Sequence, residues 1–239
     1  MLGTLAVPRR RLLLLAPAAL LVALAVVLLV LVVLAPERAT GSYAERCERS
    51  AADAEARAAV VTGSGAPVLV VGDSWSAGLG LADPTDSWPA RLDGRVHVAG
   101  FSGSGFSARA SGCGDVSFAA RAPRALAGLP AGTLVVVEGG LNDWDRSDAE
   151  LTTGFEALLA AAAGHRVVVV GPAGAPSRAA YVDRVDALLA ELSARHDVAY
   201  LSALDVDLDY LDDRLHLTPA GHAAFGDWVA AGVRGATSP

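Results

Sequence analysis

The sequence contains no lysine, and its two cysteines, Cys47 and Cys113, lie far apart. All 19 basic residues are therefore arginines, set against 26 acidic residues. An acidic chain argues against nucleic acid as the main partner and against binding to anionic lipid through basic patches. Two isolated cysteines do not have the spacing of a zinc site, so no bound metal is expected.

The chain also lacks an internal repeat and a strict Gly-x-Ser-x-Gly sequence. That motif forms the nucleophile turn of ordinary α/β-hydrolases, so its absence disfavours their fold. The chain has 239 residues. Once the N-terminal segment described next is set apart, about 200 of them are left to fold, enough for one domain with a full core.

Residues 12–35 are all apolar, and Pro17 is the one residue among them that disfavours a helix. As a helix they would extend about 36 Å, enough to cross a hydrocarbon core of about 30 Å. Three arginines at positions 9–11 precede the run, which predicts a cytoplasmic segment over residues 1–11 and an extracytoplasmic remainder. We expect an uncleaved transmembrane anchor, because secretory signals have shorter apolar regions. Cleavage at residues 33–35, giving a secreted protein, is the alternative.

Both cysteines follow this predicted anchor. An extracytoplasmic location permits a disulfide bond, and two cysteines allow only one intramolecular connectivity, Cys47 to Cys113. Two unrelated thiols are the alternative.

Beyond the anchor, residues 36–65 are predicted to form a linker and an N-terminal helix, and residues 66–239 to form the folded domain. The apolar, β-branched runs predict strands over residues 68–71, 95–98, 133–138, 166–170 and 199–201. The intervening patterns predict helices over residues 43–59, 87–92, 118–126, 147–163, 179–196 and 219–233. This alternation is typical of an α/β fold with a doubly wound, flavodoxin-like parallel sheet of five strands.

Polar groups follow three of these strands. Ser74 comes after the first strand, Gly103 after the second and Asn142 after the third. In a doubly wound sheet, reactive groups gather beyond the carboxyl ends of the strands. The fold therefore predicts that these residues lie at one edge of the sheet.

The residue types fit a serine hydrolase. A serine hydroxyl such as that of Ser74 needs a base, and His216 is suited to that role, with Asp213 to orient the imidazole ring. A developing oxyanion needs donors already aimed at it. The Ser74 N–H, the Gly103 N–H and the Asn142 side-chain amide are suitable donors.

These residues resemble the blocks of the SGNH hydrolases, also called GDSL esterases and lipases, over about residues 66–233. The blocks are Gly72-Asp73-Ser74, the glycine Gly103, Gly140-Leu141-Asn142-Asp143, and Asp213 with His216. The resemblance implies a three-layer α/β/α sandwich and the site roles given above, and it implies no cofactor. The chain departs from the family at Trp75, where leucine is common, and at Val98, where asparagine is common.

Several alternatives stay open at this point. His222 is a rival base to His216, and Asp212 is a rival to Asp213 as the orienting acid. Asp143 is expected to brace its loop by hydrogen bonds. The aromatic residues near the motifs, among them Trp75, Phe101 and Trp144, form either a substrate platform or part of the core.

The sequence thus predicts a membrane-anchored, extracytoplasmic serine esterase that acts on an acyl or acetyl ester of a small molecule, glycan or lipid. One alternative is an acyltransferase, in which a hydroxyl of an envelope glycan replaces water. The other is a catalytically silent domain of the same fold that binds envelope glycans or a partner protein.

Overall fold

The computed structural model describes residues 43–237. The chain divides into two compact units, Met1–Glu48 and Arg49–Pro239. Residues 43–58 are helical (α1), and the fold and site described below lie within the second unit. The predicted anchor at residues 12–35 falls outside the described residues. Over residues 43–237, no helix combines the length and apolar character needed to cross a membrane. Cys47 and Cys113 are both disulfide-bonded.

One six-stranded sheet forms the centre of the domain, in the spatial order β1-β3-β2-β4-β5-β6. The strands are β1 (Thr62–Gly63), β2 (Pro67–Gly72), β3 (Arg95–Gly100), β4 (Leu134–Glu138), β5 (Arg166–Val170) and β6 (Ala199–Leu201). Strands β2 to β6 are parallel, in the flavodoxin-like order that the sequence predicts. The antiparallel edge strand β1 was not predicted, because two residues are too few to show a strand period.

The helices after α1 are α2 (Ser74–Ala77), α3 (Phe118–Leu126), α4 (Asp148–Ala161), α5 (Val182–Arg195) and α6 (Pro219–Thr237). The predicted helix over residues 87–92 is a short 3₁₀ segment, Trp88–Arg91. The segment ends at Leu92, which adopts an extended conformation, and Pro89 lies in its first turn, where proline is tolerated. Helix α4 begins with a capping box between Ser147 and Glu150, which fixes its start one residue after the predicted one.

The sheet is covered on both faces, as its β2 strand illustrates. Val68 and Val70 pack into the core that includes Phe225 and Val229 of α6. Leu69, the next residue along but on the other face, joins the core formed with α3, α4 and α5. Burial of both faces explains why the strands are continuous apolar runs. The three-layer α/β/α arrangement is therefore confirmed for the described domain.

The register of the central strands brings the motif loops together. Gly72 at the end of β2 pairs with Gly100 at the end of β3 and with Glu138 at the end of β4. The three strands therefore end side by side, and the loops that follow them start from one edge of the sheet.

Candidate active site

Ser74 is the first residue of α2, directly after β2 ends. The helix has only four residues, and Asp73 caps it by accepting a hydrogen bond from the Trp75 N–H at 2.9 Å. Gly78 ends the helix in a left-handed conformation. The strand-to-helix turn holds Ser74 at the sheet edge with its side chain mostly buried.

Ser74, His216 and Asp213 form a continuous chain of hydrogen-bonding contacts. His216 Nε2 lies 3.1 Å from Ser74 Oγ, and His216 Nδ1 lies 2.5 Å from Asp213 Oδ2. When Nδ1 carries the proton and donates it to the carboxylate, Nε2 is left as an acceptor for the serine hydroxyl. This is the arrangement that activates a serine nucleophile.

The loop that carries His216 is fixed by its own backbone bonds. Asp213 Oδ1 accepts from the N–H groups of Leu215 and His216, each at 2.9 Å. Burial alone would raise the pKa of Asp213, but the bonds from the His216 ring and the two N–H groups outweigh it and lower the pKa to about 2. Asp213 is therefore ionised at neutral pH and can stabilise a positive imidazole ring.

The two sequence alternatives do not share this geometry. His222 is completely buried, and neither of its ring nitrogens has a hydrogen-bond partner among the described residues. Burial lowers the pKa of His222 to about 4, which keeps the ring neutral. It is His216 that contacts Ser74, and it is Asp213 rather than Asp212 that contacts His216.

The loop after β3 presents Gly103. This glycine has a φ of 82°, which favours glycine over other residues. Ser74 is the first residue of α2 and Gly103 lies in a turn, so neither backbone N–H takes part in a regular helix or strand. Among residues 43–237, neither N–H has another hydrogen-bond acceptor. Both donors are therefore available to a bound oxyanion.

Asn142 is placed differently from the sequence expectation. Its Nδ2 donates to Asp73 Oδ2 at 3.1 Å and to the Ser104 carbonyl at 2.9 Å. These two bonds use both hydrogens of the amide. Asn142 thus ties the loops after β2, β3 and β4 together, and it has no hydrogen left for an oxyanion in this arrangement.

Asp143 braces the neighbouring loop, as the sequence indicates. It is completely buried, and its carboxylate accepts from the N–H groups of Phe106 at 3.0 Å and Ser107 at 2.9 Å. Burial raises the pKa of Asp143 to about 6, although both N–H bonds oppose the shift.

Residues 70–224 match the GDSL-like lipase/acylhydrolase family. The chain belongs to that family. It is an SGNH-type esterase, as the motifs predict. No curated protein sequence matches the chain significantly.

Solved structures of similar fold include several esterases. A carbohydrate acetylesterase from Sinorhizobium meliloti is 20% identical, with a TM-score of 0.58 over 72% of this chain and 99% of its own. A putative arylesterase from Agrobacterium tumefaciens is 24% identical, with a TM-score of 0.58 over 72% of this chain and 100% of its own. An aryl esterase from M. smegmatis is 19% identical, with a TM-score of 0.60 over the same shares, 72% and 100%.

Of the two alternatives for the aromatic residues near the motifs, core packing holds for Trp75 and Phe101. Trp75 is only 1% exposed and packs edge-on against Phe225, with ring centroids 5.1 Å apart. Its indole N–H donates to the Leu215 carbonyl at 3.1 Å. Phe101 is also buried, so neither ring offers a face to a substrate. Trp144 alone of the three is partly exposed, and it packs against Tyr181.

Two charged residues that sequence reasoning missed lie beneath the esterase site. Arg121 of α3 donates to the Gly72 carbonyl and the Ser104 hydroxyl, each at 2.9 Å, and to the Ala99 carbonyl. Burial lowers its pKa to about 10. Glu138, at the end of β4, is 2% exposed. Neither residue belongs to a motif, so only the fold reveals their position.

A cavity of about 410 Å³ lies beside helix α2, and Ser74, Asp213 and His216 are not among its lining residues. Ala77 of α2 and Ser102, the neighbour of Gly103, contribute to its wall, and most other lining residues are apolar. Arg57 of α1 also lines it and is 2% exposed. Its Nη1 donates to the Val60 carbonyl at 3.2 Å, whereas Nε and Nη2 have no partner in the described part of the chain. Over the same residues, no group of three or more His, Cys, Asp or Glu side chains is arranged to hold a metal ion.

We expect Asp143→Asn to destabilise the protein by about 1–3 kcal/mol at pH 8, because an amide has one acceptor oxygen for two buried N–H groups. Urea unfolding followed by circular dichroism measures the difference. Asp145→Asn is the matched control: Asp145 is exposed and paired with Arg146, so its loss should cost about 0–1 kcal/mol. Equal costs for the two variants would contradict the bracing role.

Proposed function

We propose that the protein hydrolyses an ester through an acyl intermediate on Ser74, with His216 as general acid and base and Asp213 as the residue that orients the imidazole ring. The observation that carries this proposal is the chain of contacts from Ser74 Oγ through His216 to Asp213. A binding module would have no use for this arrangement, so the geometry favours the enzyme over the silent domain.

The reaction follows from the positions of the atoms. His216 Nε2 removes the hydroxyl proton as Ser74 Oγ attacks the carbonyl carbon, and the same nitrogen then protonates the departing alcohol oxygen. A water molecule next gives its proton to Nε2 while its oxygen attacks the acyl carbon. The bond to Ser74 Oγ breaks, Oγ regains its proton, and the carboxylic acid leaves.

The oxyanion of each tetrahedral intermediate would be held first by the N–H groups of Ser74 and Gly103. Asn142 can join them only if it releases one of its two acceptors. Its contact with Asp73 is the longer of the two, so we propose that this is the bond exchanged for the oxyanion.

For the substrate, we propose an acetyl ester of a hydroxyl-rich alcohol such as an envelope glycan. One similar structure is a carbohydrate acetylesterase, which supports this class by analogy of fold only.

For the location, we propose that residues 12–35 anchor the enzyme in the membrane with the esterase domain outside the cytoplasm. The apolar run and the three arginines before it support this orientation. The disulfide-bonded state of Cys47 and Cys113 is also typical of an oxidising compartment.

We expect Ser74→Ala to lower kcat for 4-nitrophenyl acetate by at least about 10³-fold, because the nucleophile is lost. Ser193→Ala is the matched control, since Ser193 is also buried and its hydroxyl has no partner among the described residues. A Ser74→Ala enzyme with the turnover of the control would rule out the acyl-serine mechanism.

We expect kcat/KM to fall steadily as the acyl chain of 4-nitrophenyl esters grows from acetate to octanoate. Release of acetate from acetylated xylan and transfer to added sugar acceptors should be assayed in parallel. A preference for long chains would exclude the acetyl proposal, and transfer that exceeds hydrolysis would show an acyltransferase.

We expect the full chain in the membrane fraction, with its domain degraded by protease added to intact spheroplasts. A variant lacking residues 1–35 supplies the control and should remain soluble. Protection of the full chain from protease until the membrane is lysed would contradict the proposed orientation.

A further inference from the structure

Glu138 occupies an unusual place for a carboxyl group. It ends the central strand β4, is 2% exposed, and pairs in register with Gly72, two residues before Ser74. It forms no salt bridge with any residue in the described range. An apolar side chain would be less costly to bury here than an unpaired carboxylate.

The Glu138 carboxyl contacts the short helix that carries Ser74. Its Oε2 accepts the hydroxyl hydrogen of Ser76 at 2.7 Å. Ser76 in turn accepts the indole N–H of Trp88 at 3.1 Å. Ser76 and Trp88 are completely buried, so water cannot replace these bonds.

Gly72 makes room for this network. A Cβ atom at position 72 would lie 2.1 Å from Ser76 Oγ and 2.9 Å from Glu138 Oε2. The space between the end of β2 and helix α2 is therefore filled by the Ser76–Glu138 pair. Helix α2 has four residues, too few to be stable alone, so its geometry depends on such contacts.

The charged surroundings add to the constraint. Burial raises the pKa of Glu138 to about 7. Burial also raises the pKa of the neighbouring Asp73, and the negative charge of Glu138 adds to that rise. His216 opposes the rise in the pKa of Asp73. Asp73 in turn opposes the lowering of the pKa of Arg121 that burial causes. The turn that carries Ser74 is therefore packed against two buried acids, Asp73 and Glu138, which cost more to bury than apolar side chains would.

We propose that Glu138 is a positioning residue for the nucleophile. It holds helix α2 through the Ser76 hydroxyl and lies beside Gly72 at the end of β2, so that Ser74 Oγ stays within reach of His216. This inference rests on the proposed acyl-serine mechanism and adds to it a residue outside the family motifs.

The test compares Ser76→Ala, Glu138→Leu, Glu138→Gln and the Ser76→Ala/Glu138→Leu double variant. We expect Ser76→Ala and Glu138→Leu each to lower kcat about 10- to 100-fold, with KM changed less than about 3-fold, because a misplaced nucleophile slows chemistry rather than binding. Glu138→Gln keeps an acceptor oxygen and should recover kcat to within about 5-fold of the wild type. The double variant should lose no more than the worse single one.

A second readout is the rate at which a fluorophosphonate probe labels Ser74, which should fall with kcat. Ser193→Ala again controls for removal of a buried hydroxyl. If Ser76→Ala lowers the melting temperature while kcat and the labelling rate stay at wild-type values, Glu138 is only structural and the inference is wrong. Ser76→Ala and Glu138→Gln still decide the matter if Glu138→Leu does not fold. Failure of the wild-type enzyme to label would instead remove the acyl-serine mechanism itself.

Discussion

The contact between His216 Nε2 and Ser74 Oγ joins residues 142 positions apart in the chain. Both partners must be held to a fraction of an ångström for a proton to pass between them. Ser74 is fixed by the end of β2 and the short helix α2. His216 lies in a loop that has no regular structure of its own, so other contacts must fix it.

Trp75 supplies one of these contacts. Its indole N–H donates to the carbonyl of Leu215, next to His216, and its ring packs against Phe225 of α6. The residue that follows the nucleophile therefore anchors the loop that carries the base. This accounts for a tryptophan at a position where leucine is common in the family, and it explains why Trp75 is unavailable to a substrate.

The sequence was sufficient to predict the parts of the fold that have strong local signals. Runs such as residues 166–170 are buried on both faces, so their valines identify the strand and its limits. Ser74, Gly103 and Asn142 could be placed together because parallel strands end at one edge, whereas Asp213 and His216 were assigned by residue type and by the family resemblance. Strand β1 has two residues and no periodicity, and it was missed. The partners of Asn142 and the role of Trp75 depend on side-chain contacts between distant loops, which no local pattern encodes. Glu138 looked like the last residue of an apolar strand until the register placed it beneath the nucleophile.

The mechanism requires Ser74 to carry an acyl group between the attack on the ester and the attack of water. The most direct test is to mix enzyme with 4-nitrophenyl acetate, quench with acid within the first turnover, and map the modified peptide by mass spectrometry. We expect one added acetyl group on Ser74 that appears within the first turnover and disappears once the substrate is consumed, and no acetylated peptide in the Ser74→Ala variant. Normal turnover with no acetylated Ser74 at any quench time would overturn the acyl-serine mechanism.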